Sequence, residues 1–178
     1  KQMLLKIGWP AEDLAGYVDG EKHPIALDQD GWALRDYQQM AADSFWDGGS
    51  GVVVLPCGAG KTIVGIEAMR HVQTKTLILA TNQAAVSQWI REILDKTHLT
   101  ADQVGAYTGN SKEIKPVTVA TYQILTWRRS KEAEFEHLHL FEDEDWGLLI
   151  YDEVHLLPAP VFGATASLQA RRRLGLTA

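Results

Sequence analysis

A single cysteine, Cys57, stands in the 178 residues, so no intrachain disulfide can brace the fold, and the one thiol fits a reducing compartment. No apolar run approaches the roughly 18 residues of a membrane span, and the N-terminus has no basic segment followed by an apolar stretch and a cleavage site. No membrane partner is expected. Internal repeats and low-complexity tracts are also missing. Positive charge is scarce: 17 Lys and Arg face 23 Asp and Glu, for a formal charge of -6. Taken whole, that balance argues against a nucleic-acid partner. Yet Glu132, Glu134, Glu136, Glu142, Asp143, Glu144 and Asp145 lie in one stretch without Lys or Arg. Removing those seven negatives from -6 leaves +1, so the overall sign does not decide the partner.

What is present suffices for a core, since 46% of the residues are hydrophobic and 22% charged, the balance of a folded domain. Residues 1–32, with Gly8, Pro10, Gly16, Gly20, Pro24 and Gly31 among scattered apolar positions, read as a connector or the end of a preceding domain. From residue 33 the texture changes. Leu34, Tyr37, Ala41 and Phe45 recur at helical spacing and stop at Gly48-Gly49. Short apolar runs follow at Val52–Leu55, Thr76–Ala80, Val117–Ala120, Leu148–Tyr151 and Leu174–Leu176, with a weaker edge strand at Gln103–Tyr107. Helical patterns lie between them: Lys61 to about His71; Val86, Trp89, Ile90, Ile93 and Leu94 on one face; and Ala164 to Arg171. Apolar strands alternating with amphipathic helices predict an α/β fold, a mostly parallel sheet with helices on both faces. Ligands of such sheets bind beyond the carboxyl ends of the strands.

The first run leads into Leu55-Pro56-Cys57-Gly58-Ala59-Gly60-Lys61-Thr62 and then a helix. A phosphate chain needs inward-pointing backbone amides, a helix N-terminus behind them and no side chains in the way, hence the glycines. Lys61 would reach the β and γ phosphates and the Thr62 hydroxyl would hold Mg²⁺. The first glycine of the general P-loop pattern is replaced by Leu55. Cys57 reads as a small loop residue contributing its amide rather than as a reactive thiol. The fourth run ends in Asp152-Glu153-Val154-His155. A carboxylate at the end of a neighbouring parallel strand reaches the metal shell, assigning Asp152 to Mg²⁺ and Glu153 to the base that positions water.

These motifs, with Pro158-Ala159 after the second and Leu-Gly-Leu-Thr-Ala at 174–178, resemble motifs I, II and III of superfamily 2 helicases of the XPB type. Leu34-Arg35-Asp36-Tyr37-Gln38 is similar to the Q-motif region and Thr121-Tyr122-Gln123 to motif Ib, so the resemblance spans residues 33–178. It implies a P-loop NTPase of RecA-like fold, the first motor domain of an ATP-dependent DNA helicase acting in repair or promoter opening. It implies that Gln38 reads the adenine edge with Arg35 and Tyr37 supporting the pocket, and that Thr81, Asn82, Thr121 and Tyr122 contact DNA phosphates. Thr177 and Ala178 would couple nucleotide state to DNA grip, with His155 joining the catalytic loop to motif III. Catalysis would then rest on Lys61, Asp152, Glu153 and His155.

The resemblance further implies ATP and Mg²⁺ as cofactors and 3′–5′ travel. The implied partners are DNA without sequence preference, as single strand or fork, a second RecA-like domain, and subunits of a repair nuclease or a transcription and repair complex. The place would be the cytoplasm and nucleoid of a prokaryote or the nucleus of a eukaryote. A start at Lys1 and a stop directly after an apolar run give the expectation of a piece of a longer protein, inactive or nearly so by itself. Two other readings stay open from the residues alone: a P-loop kinase, and a regulatory nucleotide-binding scaffold.

Three features fall outside these motifs. His137 and His139 among carboxylates suggest a metal site less than a solvated strand or loop face. Arg171-Arg172-Arg173 reads as a solvated cap at a helix C-terminus. Trp127 beside Arg128 and Arg129 reads as a packed indole or a base-stacking surface.

Overall fold

The computed structural model describes residues 19–178; most of the expected connector, residues 1–18, lies outside the described residues. Six strands form one sheet: β1 (Gly51–Val54), β2 (Thr76–Ala80), β3 (Val104–Tyr107), β4 (Val117–Thr121), β5 (Leu148–Tyr151) and β6 (Arg172–Thr177). Their order is β1-β6-β5-β2-β4-β3 and every pairing is parallel. The expected weak edge strand is therefore real and lies at the edge.

Because successive side chains of a strand point to opposite faces, each buried strand feeds two cores. Ile78, Ala80, Val117, Val119, Leu148, Ile150, Leu174 and Leu176 enter one. They meet helices α1 (Asp36–Gly48), α2 (Lys61–Val72) and α3 (Gln83–Lys96) through Ala42, Phe45, Val64, Met69, Val86, Trp89 and Ile93. Leu77, Leu79, Leu149 and Tyr151 enter the other. There α4 (Tyr122–Leu125), α5 (Leu138–Glu142) and α6 (Ala159–Thr165) supply Tyr122, Leu125, Phe141 and Val161. Truncating any of the fully buried leucines to alanine would cost about 2–5 kcal/mol through lost transfer energy and the cavity left behind.

Several expectations need correction. The face that α1 buries is Gln38, Ala42 and Phe45, rotated one residue from the predicted Tyr37–Ala41 line, because Gln38 turns inward to bond the P-loop. Strand β1 is not covered on both faces: Val52 and Val54 are 59% and 66% exposed. It is an edge strand, and the described helices on the far face do not extend over it. The helix predicted up to Arg171 spans only Ala159–Thr165. The arginines start a strand instead: Arg172 lies over the Trp46 ring at 4.0 Å, and Arg173 donates to the Tyr151 hydroxyl at 2.8 Å and the Thr165 carbonyl at 2.9 Å.

The acidic stretch, expected as a strand or loop face, contains α5 and has cationic partners. Glu136 pairs with Arg129 at 2.8 Å and Glu144 with Lys75. His139 lies between Glu134 at 3.2 Å and Glu142 at 3.1 Å, while His137 meets the Tyr107 hydroxyl at 2.8 Å. The described end of the connector packs on the domain. Ile25 is 2% exposed, and its backbone is gripped at both ends by the Gln73 amide.

Candidate nucleotide site at the strand ends

The P-loop begins where β1 stops. Leu55 N–H donates to the Thr177 carbonyl at 3.0 Å, prolonging the β1–β6 pairing, and Ala59 N–H closes a turn on the Pro56 carbonyl at 3.0 Å. Gly58 and Gly60 have φ of 78° and 80°, a region that admits glycine with no steric penalty. Gly60 starts α2, so Lys61 and Thr62 occupy its first turn, where the free amides and the helix dipole favour an anion. Pro56, Cys57 and Gly58 are exposed.

A brace from α1 holds this loop. The Gln38 amide accepts from Arg35 N–H at 2.9 Å and donates to the Ala59 carbonyl at 2.9 Å. Tyr37 donates its hydroxyl to that same carbonyl at 2.8 Å and accepts from the Arg35 guanidinium at 3.2 Å. A Cβ on Gly60 would stand 2.4 Å from the Gln38 Nε2. Tyr37 thus reaches the loop itself, and Arg35 reaches it only through Tyr37 and Gln38. Gln38 is 5% exposed with protein at both ends of its amide, and in this arrangement it braces the P-loop.

Opposite the loop, β5 delivers Asp152 and Glu153. Glu153 adopts a φ of 49°, uncommon for a residue with a Cβ. Its carboxylate lies 3.8 Å from the Lys61 ammonium on one oxygen and 3.5 Å from His155 Nδ1 on the other. His155 Nδ1 is in turn 2.7 Å from the Thr177 hydroxyl. Three of the four expected catalytic residues, Lys61, Glu153 and His155, therefore form a contiguous series that ends at Thr177 on β6. Ala178 follows, exposed. Burial first, and then the neighbouring Glu153, push the Asp152 carboxyl above its usual range, opposed by the Trp89 hydrogen bond and Lys61.

Thr81 follows β2 and Thr121 ends β4, and the two strands pair side by side with Ala80 opposite Thr121. Gln123 links the two segments by donating to the Thr81 carbonyl at 3.2 Å. Asn82 is exposed and caps α3, accepting from Ala85 N–H at 2.9 Å. Tyr122 does not share this surface. It is 1% exposed, and its hydroxyl donates to the Asp152 carbonyl at 2.5 Å, a core position that replaces the expected DNA contact. Burial drives its phenol upward in pKa, so it stays a donor. Trp89, legible in the sequence only as a helix-face hydrophobe, donates its indole N–H to Asp152 Oδ2 at 3.0 Å. A buried tryptophan needs a partner for that N–H, and this need was the available signal.

Residues 32–178 match the family model described as Type III restriction enzyme, res subunit. Over all 178 residues the chain is 67% identical to a DNA 3′-5′ helicase XPB of Mycobacterium tuberculosis, covering 32% of that protein. It is 43% identical over the same length to a putative DNA 3′-5′ helicase Rad25 of Halobacterium salinarum, covering 28% of it. The chain spans a third or less of the length of the curated relatives it matches. Among solved structures, the UvsW helicase from bacteriophage T4 superposes with a TM-score of 0.69 at 16% identity, covering 99% of this chain and 67% of that one. The Hef helicase domain of Pyrococcus furiosus gives 0.67 at 22%, covering 85% and 34%. These two likenesses speak for the fold. Among the described residues no helix is long and apolar enough to cross a membrane.

Proposed function

The chain belongs to the family described as Type III restriction enzyme, res subunit, as an XPB-type member of superfamily 2, and on that premise we propose that it is the first RecA-like motor domain of an ATP-driven DNA helicase. The observation that carries this reading is the unbroken series Lys61, Glu153, His155, Thr177. It joins the P-loop to the end of β6, as a nucleotide sensor must.

The residues fit a nucleoside triphosphate with a divalent cation. At Gly58 nothing stands within 4 Å of where a Cβ would be, leaving backbone open to phosphate, and Lys61, Thr62 and Asp152 supply an ammonium, a hydroxyl and a carboxylate. Thr62 and Asp152 would hold Mg²⁺, which when bound offsets the charge of the phosphates. Lys61 would hold the β and γ phosphates, and release of Glu153 from Lys61 would leave its carboxylate to orient a water and take its proton. Thr81, Asn82 and Thr121, gathered at the carboxyl ends of β2 and β4, would meet the DNA backbone. Such contacts carry no base information, as a motor that moves along any sequence requires.

A second RecA-like domain would supply the arginine facing the γ phosphate. The 3′–5′ direction is in the names of the relatives, and we extend it to this chain together with a role in repair or promoter opening and partners among repair nucleases or transcription and repair factors. The test is the full-length protein on a duplex with a 3′ single-stranded tail. ATP hydrolysis stimulated by DNA, with strand displacement, is expected; hydrolysis indifferent to DNA would sink the motor reading.

A further inference from the structure

Asp152 is fastened from three sides. Its N–H donates to the Leu79 carbonyl of β2 at 2.8 Å, its own carbonyl accepts from Tyr122 of α4 at 2.5 Å, and its Oδ2 accepts from Trp89 of α3 at 3.0 Å. The first bond continues the sheet. The other two come from Tyr122 and Trp89, 1% and 2% exposed, each an aromatic ring whose only polar side-chain atom is aimed at this one residue.

The indole reaches Asp152 because α2 makes room for it. Gly65, in the middle of that helix, presents bare backbone to the ring: a Cβ there would lie 2.6 Å from Trp89 Cη2 and 3.2 Å from Cζ3. Glycine inside a helix costs about 1 kcal/mol relative to alanine, and at this position it is what lets a tryptophan pass beneath the helix. The ring is thus seated by α2 and aimed by α3.

We propose that Trp89 and Tyr122 are positioning residues for Asp152: the indole fixes the rotation of the carboxylate, the phenol fixes the main chain that bears it, and together they set the affinity of the nucleotide site for its divalent cation. Mg²⁺ tolerates little departure from octahedral geometry, so a ligand that turns freely binds it poorly. Groups that orient a metal ligand are typically worth about 10–100-fold in metal affinity or activity. Tyr122 follows directly on Thr121, and Trp89 stands on the helix that Asn82 caps, so a displacement of Thr121 or of α3 reaches Asp152 through one side chain.

The proposal rests on the assignment of Asp152 to the metal, and the experiment separates the two. In the full-length protein, Trp89→Phe keeps a buried ring and removes the N–H; Tyr122→Phe removes one oxygen. Thermal melts establish that each is folded. Two readouts follow: the Mg²⁺ concentration for half-maximal ATP hydrolysis at saturating ATP, and the binding of Mn²⁺ with ADP followed by electron paramagnetic resonance. Both variants are expected to need more metal, Trp89→Phe by about tenfold, with the maximal rate at saturating Mg²⁺ largely kept. A folded variant of either kind with wild-type metal dependence overturns the proposal. Asp152→Asn is the control. If it binds Mn²⁺ as the wild type does, the metal assignment itself is wrong; if it loses the metal while Trp89→Phe keeps it, only the positioning role fails.

Discussion

The ring of His155 and the hydroxyl of Thr177 meet at 2.7 Å, and the carbonyl of the same Thr177 accepts from the first residue of the P-loop. One residue at the end of β6 thus touches both halves of the site, through its side chain on one and its backbone on the other. His155 also stands 3.5 Å from Glu153. A shift of Glu153 therefore has a polar route to the strand end.

Lys61→Ala in the full-length protein should abolish ATP hydrolysis and weaken nucleotide binding together. Glu153→Gln should leave binding near wild type and slow turnover by about 10²-fold or more, the usual contribution of a positioned base. Fluorescent-nucleotide titration beside steady-state hydrolysis checks both. Equal losses of binding in the two variants would contradict the division of roles.

Thr177→Val keeps the volume of the side chain and removes the hydroxyl that meets His155. ATP hydrolysis is expected to persist while the number of base pairs opened per ATP falls. His155→Ala should do the same. The measurement is strand displacement and phosphate release in one reaction, and a constant ratio across the variants would deny the link a coupling role.

Gln38→Ala removes two hydrogen bonds at a position only 5% exposed. Loss of bonds at such a site costs about 1–3 kcal/mol, so the melting temperature should fall and the KM for ATP rise. A base-reading glutamine behaves differently: its loss would make ATP and GTP equally good substrates without lowering the melting temperature. Competition between the two nucleotides decides which behaviour holds.

His137 and His139 should titrate on opposite sides of 6.5. Burial, and then Lys112, hold His137 below the usual value; hydrogen bonds to Glu134 and Glu142 raise His139 above it. The sign for stability follows. The neutral His137 contributes above the unfolded pKa and its contribution is lost as pH falls through the folded one, whereas the His139 contribution is present below the unfolded pKa and lost as pH rises through its folded one. Nuclear magnetic resonance of the ring nitrogens orders the two directly, and the reverse order would mean that these contacts do not persist in solution.

Strands such as Thr76–Ala80 and Leu148–Tyr151 were legible residue for residue because both their faces are buried, which writes a continuous apolar run. Helices α4 and α5 were not, being four and five residues long: too short for a period to show and held by packing instead. In the site, Lys61, Asp152 and Glu153 could be read because local motifs carry them. The Trp89–Asp152 bond joins residues 63 apart in sequence, and no local pattern encodes such a meeting. Tyr122 could be read as a DNA contact or as core for a related reason, since a tyrosine after a strand reads alike whether its hydroxyl turns to solvent or to a carbonyl beneath it.

The sheet order carries a consequence for how the protein is made. Strand β1, which leads into the P-loop, pairs with β6, and Leu55 N–H donates to the Thr177 carbonyl. Translation runs from the N-terminus, so the loop is synthesised more than a hundred residues before the strand that anchors it. Pairings so distant along the chain form late because their closure entropy comes due before any contact rewards it. The growing polypeptide is therefore expected to hold β2 to β5 before the P-loop is anchored, so that its grip on a phosphate chain is completed only with β6.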